Sequence, residues 1–311
     1  MITKPMDVLT NYEVRKTSKQ KTAFRTAVCA YAQSQRYPVK VEKGSRGVHN
    51  IIFGDPEKAQ YLITAHYDTP ASIGIPNIIT PCNPVGYFLY QFFVIGLLLA
   101  VSVGIAYLVI LWSGTAQLGF LAWYIAYFGI LFLMIFGPAN RHNANDNTSG
   151  IVTLLETMIT LPENLRDRVC FVLFDLEEAG LVGSKVYRKA HKAATDRQIV
   201  LNLDCVGDGD VIQFVPVKNA KKDQALLERI SGICGTVGKK ELSLRYKGFT
   251  AGSSDHKNFP NGIGTMAFRY RKGIGLYCSK IHTSRDRILD QTNVNILRAA
   301  LVTLIAGEQV K

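Results

Sequence analysis

The chain has 311 residues, enough for one large domain or two modest ones, and only 19% of them are charged, against roughly 25% in ordinary soluble domains. A hydrophobic content of 48% with six scattered cysteines excludes disorder, a collagen-like repeat and a disulfide scaffold. The charge deficit is local: the 72 residues 69–140 hold no Asp, Glu, Lys, Arg or His, while the other 239 carry all 36 basic and 24 acidic side chains, a normal soluble proportion.

In chain order, residues 7–35 have the spacing of a basic amphipathic helix, and short strands are expected at 39–42 and 48–53. Residues 61–65 (YLITA) read as a buried strand whose carboxyl end delivers His66, Tyr67 and Asp68. Two apolar runs follow inside the uncharged block, 28 residues at 85–112 and 23 at 115–137. A bilayer core about 30 Å thick needs roughly 20 helical residues. Buried helices of soluble proteins seldom run so far without a charge, so both are expected to span a membrane. The short link Ser113-Gly114 makes them an antiparallel hairpin. Gly96, Ala100 and Gly104, with Ala122 and Ala126, allow close packing within it or a homodimer of two hairpins. Tyr87, Tyr90, Trp112, Trp123 and Tyr124 supply interfacial anchors.

The first 84 residues contain 11 Lys/Arg against 6 Asp/Glu and open without an apolar signal region. Such a tail resists translocation, and a hairpin returns the chain to its starting side. Both soluble parts are therefore expected in the cytoplasm, where unpaired cysteines without CxxC spacing stay reduced.

Beyond the hairpin, a helix is expected at 149–161 with Ser149 as its cap, then a buried strand at 168–175 (RVCFVLFD) that ends at Glu177-Glu178. A helix at 180–192 and a third buried strand at 198–203 follow, the latter ending at Asp204. Residues 221–235 read as helix, 241–247 and 264–270 as strands, and 291–307 as a terminal helix. Buried strands alternating with helices predict an α/β fold, a three-layer sandwich with a mixed, largely parallel sheet. Residues 1–78 and 140–311 would form one catalytic domain, with residues 79–139 as an inserted transmembrane hairpin.

Ligands in open α/β sheets bind beyond the carboxyl ends of strands. The polar groups near those ends are His66, Asp68, Asp146, Glu177, Glu178, Asp204 and His282. Converging carboxylates repel one another unless cations neutralise them, and one carboxylate can bridge two divalent ions. Mixed imidazole and carboxylate ligands suit zinc, with cobalt or manganese as substitutes. Taken singly, an HxD, an EE pair or a DN dipeptide is ordinary surface decoration; their order is what matters.

The segments AHYDTP, NDNTSG, DLEEAGLVGS, LNLDCVG, SSDHKNF and IHTSRD together resemble the co-catalytic di-zinc exopeptidases, a family of bacterial leucyl-type aminopeptidases with glutamate carboxypeptidases and glutaminyl cyclases as relatives. The likeness runs from about residue 47 to the C-terminus, interrupted by the hairpin. It implies two Zn2+ ions bridged by Asp146, one completed by His66 and Asp204, the other by Glu178 and His282. It makes Glu177 the general base, taking a proton from the attacking water and returning it to the leaving amine. Asp68 would accept the second ring N–H of His66 and fix its tautomer. His256 and Tyr277 become candidates for the substrate pocket, whereas His142 and His191 read as solvated. Asn145 and Leu176 depart from the family, which usually has Asp and Gly there.

The function expected is a membrane-anchored aminopeptidase-like hydrolase acting on peptides or amides, some of them membrane-associated. Glutaminyl cyclisation, hydrolysis of N-acyl amino acids or lipid-linked amides, and a catalytically silent membrane scaffold are the alternatives. A net charge of +12 without a nucleic-acid motif is ascribed to attraction for anionic lipids, and no nucleic-acid partner is expected.

Overall fold

The computed structural model describes residues 1–72, 74–250 and 252–307. The N-terminal segment forms two helices, α1 (Asp7–Tyr12) and α2 (Ser18–Ser34), rather than one helix over 7–35. The break has a local cause. Thr17 and Gln20 form a capping box that starts α2 afresh, and Arg15, between the helices, turns inward and is fully buried.

The hairpin β1 (Val39–Lys43) and β2 (His49–Phe53) follows, then β3 (Tyr61–His66). After it come the two long helices α3 (Pro84–Ser113) and α4 (Ala116–Phe136). The chain then continues through α5 (Gly150–Thr160), β4 (Val169–Phe174), α6 (Val182–Ala190), α7 (Lys192–Arg197) and β5 (Ile199–Leu203). It closes with β6 (Val211–Pro216), α8 (Gln224–Ser231), β7 (Gly235–Val237), β8 (Lys240–Leu244), β9 (Gly262–Arg271), β10 (Gly275–Tyr277) and α9 (Gln291–Ala306). Strands β6, β7 and β10 have no counterpart in the sequence reading, and the helix expected at 221–235 gives way to β7 before its end. Ser149 does not cap α5 with its side chain; the Asn147 Oδ1 accepts the Gly150 N–H instead, at 3.0 Å.

The sheet order is β1-β2-β4-β3-β5-β9-β6-β8-β7, with β10 on β9. The central run β4-β3-β5-β9 is parallel throughout, and antiparallel pairs flank it. Both faces of the central strands are covered, so they read as continuous apolar runs. Alternate residues enter opposite cores: Val169, Phe171 and Leu173 of β4 pack with α2, α5 and α9, while Cys170, Val172 and Phe174 pack with Tyr187 of α6 and Phe259. Each such side chain contributes about 1.5–3 kcal/mol by leaving water.

α3 and α4 are long and apolar enough to cross a bilayer, and the rest of the chain leaves them uncovered: among their described residues only Ser102 and Gly119 are buried. α3 starts on Asn83, whose Oδ1 accepts the Gly86 N–H, and ends at Gly114 with φ +69°. The helices come close at Gly119, where a Cβ would lie 2.3 Å from the Ile110 side chain. Gly96 and Gly104 face open space, so the close approach expected there does not occur within the hairpin. Both legs are fastened to the sheet domain. Ser72 N–H and Asn140 N–H donate to Pro138 O and Pro70 O, Lys16 Nζ reaches Ile135 O at 2.7 Å, and Ile79 pairs with Cys278.

Candidate metal centre

Parallel strands put their carboxyl ends on one edge of the sheet, and this edge collects the ionisable groups. β3 ends at His66, β4 runs into the turn bearing Glu177 and Glu178, and β5 is followed at once by Asp204. The loop before α5 adds Asp146, and the segment before α9 adds His282. His66 Nε2 lies 3.3 Å from Asp146 Oδ1 and 3.6 Å from Asp204 Oδ1. His282 Nε2 lies 3.1 Å from Asp146 Oδ2 and 3.7 Å from Glu178 Oε2. The two oxygens of Asp146 thus face opposite histidines. His66, Asp146 and Asp204 offer ligand atoms within 4.8 Å of one another, and so do Asp146, Glu178 and His282. Glu177 joins a third such group with His66 and Glu178.

The electrostatics of this cluster are those of a place built for cations. Burial pushes the Glu177 carboxyl well above its ordinary range, with Glu178 adding repulsion, and burial takes Glu178 itself up to about 8. Burial would lower both imidazoles, but the surrounding carboxylates outweigh it: His66 is raised well above normal and His282 to about 9. Asp146 is also opposed by burial, yet hydrogen bonds from His282 and His66 hold it well below the carboxylate range. Asp204 Oδ1 is buried and has no hydrogen-bond partner among the described residues, the kind of orphaned acceptor a bound cation satisfies. The donor set therefore fits divalent metal ions.

A framework of polar contacts positions these groups. The Asp68 carboxylate accepts the backbone N–H groups of Glu177 (2.9 Å) and Glu178 (3.1 Å), tying the β4 turn to β3. His66 Nδ1 meets the Asp68 backbone oxygen at 3.2 Å, with the Asp68 carboxylate at 3.5 Å. The ring is therefore steered mainly by a peptide oxygen rather than by the carboxylate. Asp286 accepts the N–H groups of Asn145 (2.8 Å) and Asp146 (3.0 Å), and burial beside Asp146 raises it to about 8. Asn145 Oδ1 accepts from Gly207 and Asp208 N–H, a task an amide oxygen performs as a carboxylate would. Arg15 donates to Tyr67 O at 2.6 Å and to Thr148 Oγ1 at 3.2 Å, joining the segment after His66 to the Asp146 loop. Lys21 meets Asp175 at 2.6 Å, so neither Arg15 nor Lys21 belongs to a solvated basic face. The motifs quoted above contain Asp286 and Asp175; Arg15 gives no local signal.

Four non-glycine residues at the site hold left-handed backbone: Leu176 (φ +56°) before Glu177, Leu181 (φ +60°) on the cavity wall, Cys205 (φ +54°) after Asp204, and His282 itself (φ +61°). Leu176 occupies a conformation that favours glycine, which is the residue its resemblance leads one to expect.

A cavity of about 500 Å³ opens over the cluster, a size suited to a small ligand. His256 lines it, 8% exposed, with Nδ1 unpartnered among the described residues, and burial lowers its pKa to about 4. Tyr277 sits on β10, opposite Arg269, and is not among the cavity's lining residues. His142 and His191 lie apart, against Glu13 and against Glu42 and Glu57. Asp255, inside the SSDHKNF segment beside His256, is buried, accepts from Ser184 and is pushed up to about 7 by burial.

A mixed α/β sheet with a histidine–carboxylate cluster at its carboxyl edge is the layout of a metal-dependent hydrolase. Residues 133–305, more than half the chain, match the model of peptidase family M28, and the chain belongs to that family. No curated protein sequence matches it. Among solved structures it is similar to the glutaminyl cyclase of Porphyromonas gingivalis, at 16% identity over 97% of this chain and 95% of that one, with a TM-score of 0.61. The glutaminyl cyclase of Bacteroides thetaiotaomicron bound to N-acetylhistamine is 15% identical over 98% and 96%, with a TM-score of 0.60. The LapA aminopeptidase of Legionella pneumophila is 14% identical over 98% and 69%, with a TM-score of 0.58. Identities this low establish a shared fold.

Proposed function

We propose that the chain is a membrane-anchored, zinc-dependent aminopeptidase-type hydrolase that cleaves an amide bond. The observation that carries this reading is the pair of three-ligand groups sharing Asp146. His66, Asp146 and Asp204 would hold one zinc, and Asp146, Glu178 and His282 the other. When bound, zinc supplies Lewis acidity for the scissile carbonyl and for the attacking water. Glu177, which stands with His66 and Glu178 beside the two ligand groups, would accept that water's proton and pass it to the departing amine. Asp68 holds Glu177 and Glu178 in place through their N–H groups, and His256, kept neutral by burial, lines the cavity.

Residues 1–78 and 140–311 form the catalytic unit in this reading, and 79–139 the anchor. Two uncharged helices with hardly a buried residue support membrane insertion, since water would penalise so much apolar surface. The basic N-terminal segment supports a cytoplasmic catalytic side.

The test is a substrate panel of aminoacyl amides, N-acyl amino acids and peptides with N-terminal glutamine, offered to the zinc-loaded full chain with and without chelator. Chelator-sensitive release of free amino acid from the aminoacyl amides is expected. Glu177→Gln should keep its zinc and lose turnover by about 10²–10⁴-fold. Cyclised glutamine as the sole product would favour the cyclase alternative, and a metal-free chain indifferent to Glu177→Gln the scaffold.

A further inference from the structure

The wall of the cavity and the root of the hairpin are the same piece of chain. Asn77, Ile79 and Pro81 line the cavity, and α3 begins three residues after Pro81. Ile79 packs with Met266 against a buried apolar cluster of Cys205, Phe268, Cys278 and Ile281, so an apolar wall runs between the root of α3 and the chain positions next to Asp204 and His282.

Two loops frame that root. Phe249 packs on Tyr87 and Phe88 of the first turn of α3, ring centroids 5.8 Å from each. Asn83, the cap of α3, donates to Ile274 O at 3.2 Å in the turn between β9 and β10. These loops expose Tyr246, Tyr270 and Ile274, the last two flanking the exposed pair Arg271 and Lys272. From residue 242 to residue 285 there are eight Lys/Arg and one acidic residue, the buried Asp255. Arg269 and Lys280 pair with Asp208, and the exposed aromatic and basic side chains that remain have the composition of a surface resting on anionic lipid headgroups.

We propose that the site takes an amphiphilic amide, held in the bilayer by an apolar chain, which reaches the metal centre from the side of α3. The inference rests on the hydrolase reading above. The amine end of the substrate lies at the metal cluster, its apolar part follows the Ile79–Met266 wall, and the alkyl chain leaves between α3 and the 245–250 loop into the membrane.

The full chain, zinc-loaded in phosphatidylcholine–phosphatidylglycerol vesicles, is offered leucine ethylamide and leucine dodecylamide. The dodecylamide should be cleaved with at least about tenfold higher kcat/KM, in line with the gain from burying several methylene groups. The double variant Tyr87→Ala/Phe249→Ala should lose most of that preference while the ethylamide rate holds. In parallel, a leucine alkylamide with a diazirine at the chain end should label α3 and residues 245–250. Equal kcat/KM for the two amides, or labelling confined to other surfaces, overturns the proposal and leaves the hydrolase reading standing. Labelling of α3 and 245–250 with neither amide cleaved supports membrane-side binding and overturns the hydrolase reading instead.

Discussion

At the residue scale, the proposed ligands are readable because metal-dependent hydrolysis demands ionisable types in unusual places, namely histidines and paired carboxylates directly after apolar strands. Their supports are not, because support is defined by distance in space. Arg15 reaches Thr148 across the body of the domain and looks, in sequence, like any lysine or arginine of a basic segment. Removing it strands the buried oxygens of Tyr12 and Tyr67. Arg15→Met should therefore cost about 3 kcal/mol or more in chemical denaturation, and Arg15→Lys should recover only part, since one ammonium lacks the planar fork. A denaturation midpoint matching the parent's would refute that role. Leu176 works in the other direction. Left-handed backbone costs a residue with a side chain about 1 kcal/mol, so Leu176→Gly should raise stability by up to about that amount without loss of bound metal. If thermal unfolding shows Leu176→Gly to be less stable than the parent, the strain argument fails.

At the element scale, strands buried on both faces are the most legible features, because β3, β4 and β5 are each mostly apolar and either end in an ionisable residue, His66, or are followed at once by one, Asp175 or Asp204. β6 was missed although it is also apolar, since it carries no chemistry and its antiparallel partner β9 lies far along the chain. The N-terminal helix was read as continuous because periodicity does not register an inward-turned arginine. What fixes the glutamate turn is contact between elements: Asp68 after β3 holds its N–H groups, and Gly183 in α6 lets that helix approach the end of β4. A Cβ at Gly183 would lie 2.1 Å from Asp175 O. Gly183→Ala must push α6 away from the sheet, dragging the turn between them. The expected result is a loss of about 2 kcal/mol or more together with weaker zinc binding, as overpacked sites against backbone cannot relax cheaply. Unchanged zinc affinity in a destabilised Gly183→Ala protein would show that the turn is held by Asp68 alone.

At the scale of the whole molecule, the proposed metal ligands come from five places between His66 and His282, and the hairpin is spliced between the first of them and the next. Closing the centre therefore draws both parts of the interrupted domain together. Cations bound here stabilise the folded chain alone, because the unfolded chain scatters the ligands. In their absence protons do the neutralising: Glu178 binds one up to about pH 8 and His282 up to about pH 9, each above its ordinary value. A zinc ion must displace those protons, so lowering the pH from 9 to 6 should weaken binding, by up to about tenfold per unit for each proton released. The sign is fixed by the direction of both shifts, since raised affinities for protons mean more competition in acid. Calorimetric titration of the chelator-stripped full chain with zinc, repeated in buffers of different ionisation enthalpy, counts the protons released. Thermal unfolding of the same samples should show the zinc-dependent gain in melting temperature shrinking in parallel as the pH falls. Zinc affinity that stays constant across this range would mean that the cluster holds its metals without deprotonation, and that Glu178 and His282 are not the ligands of one ion.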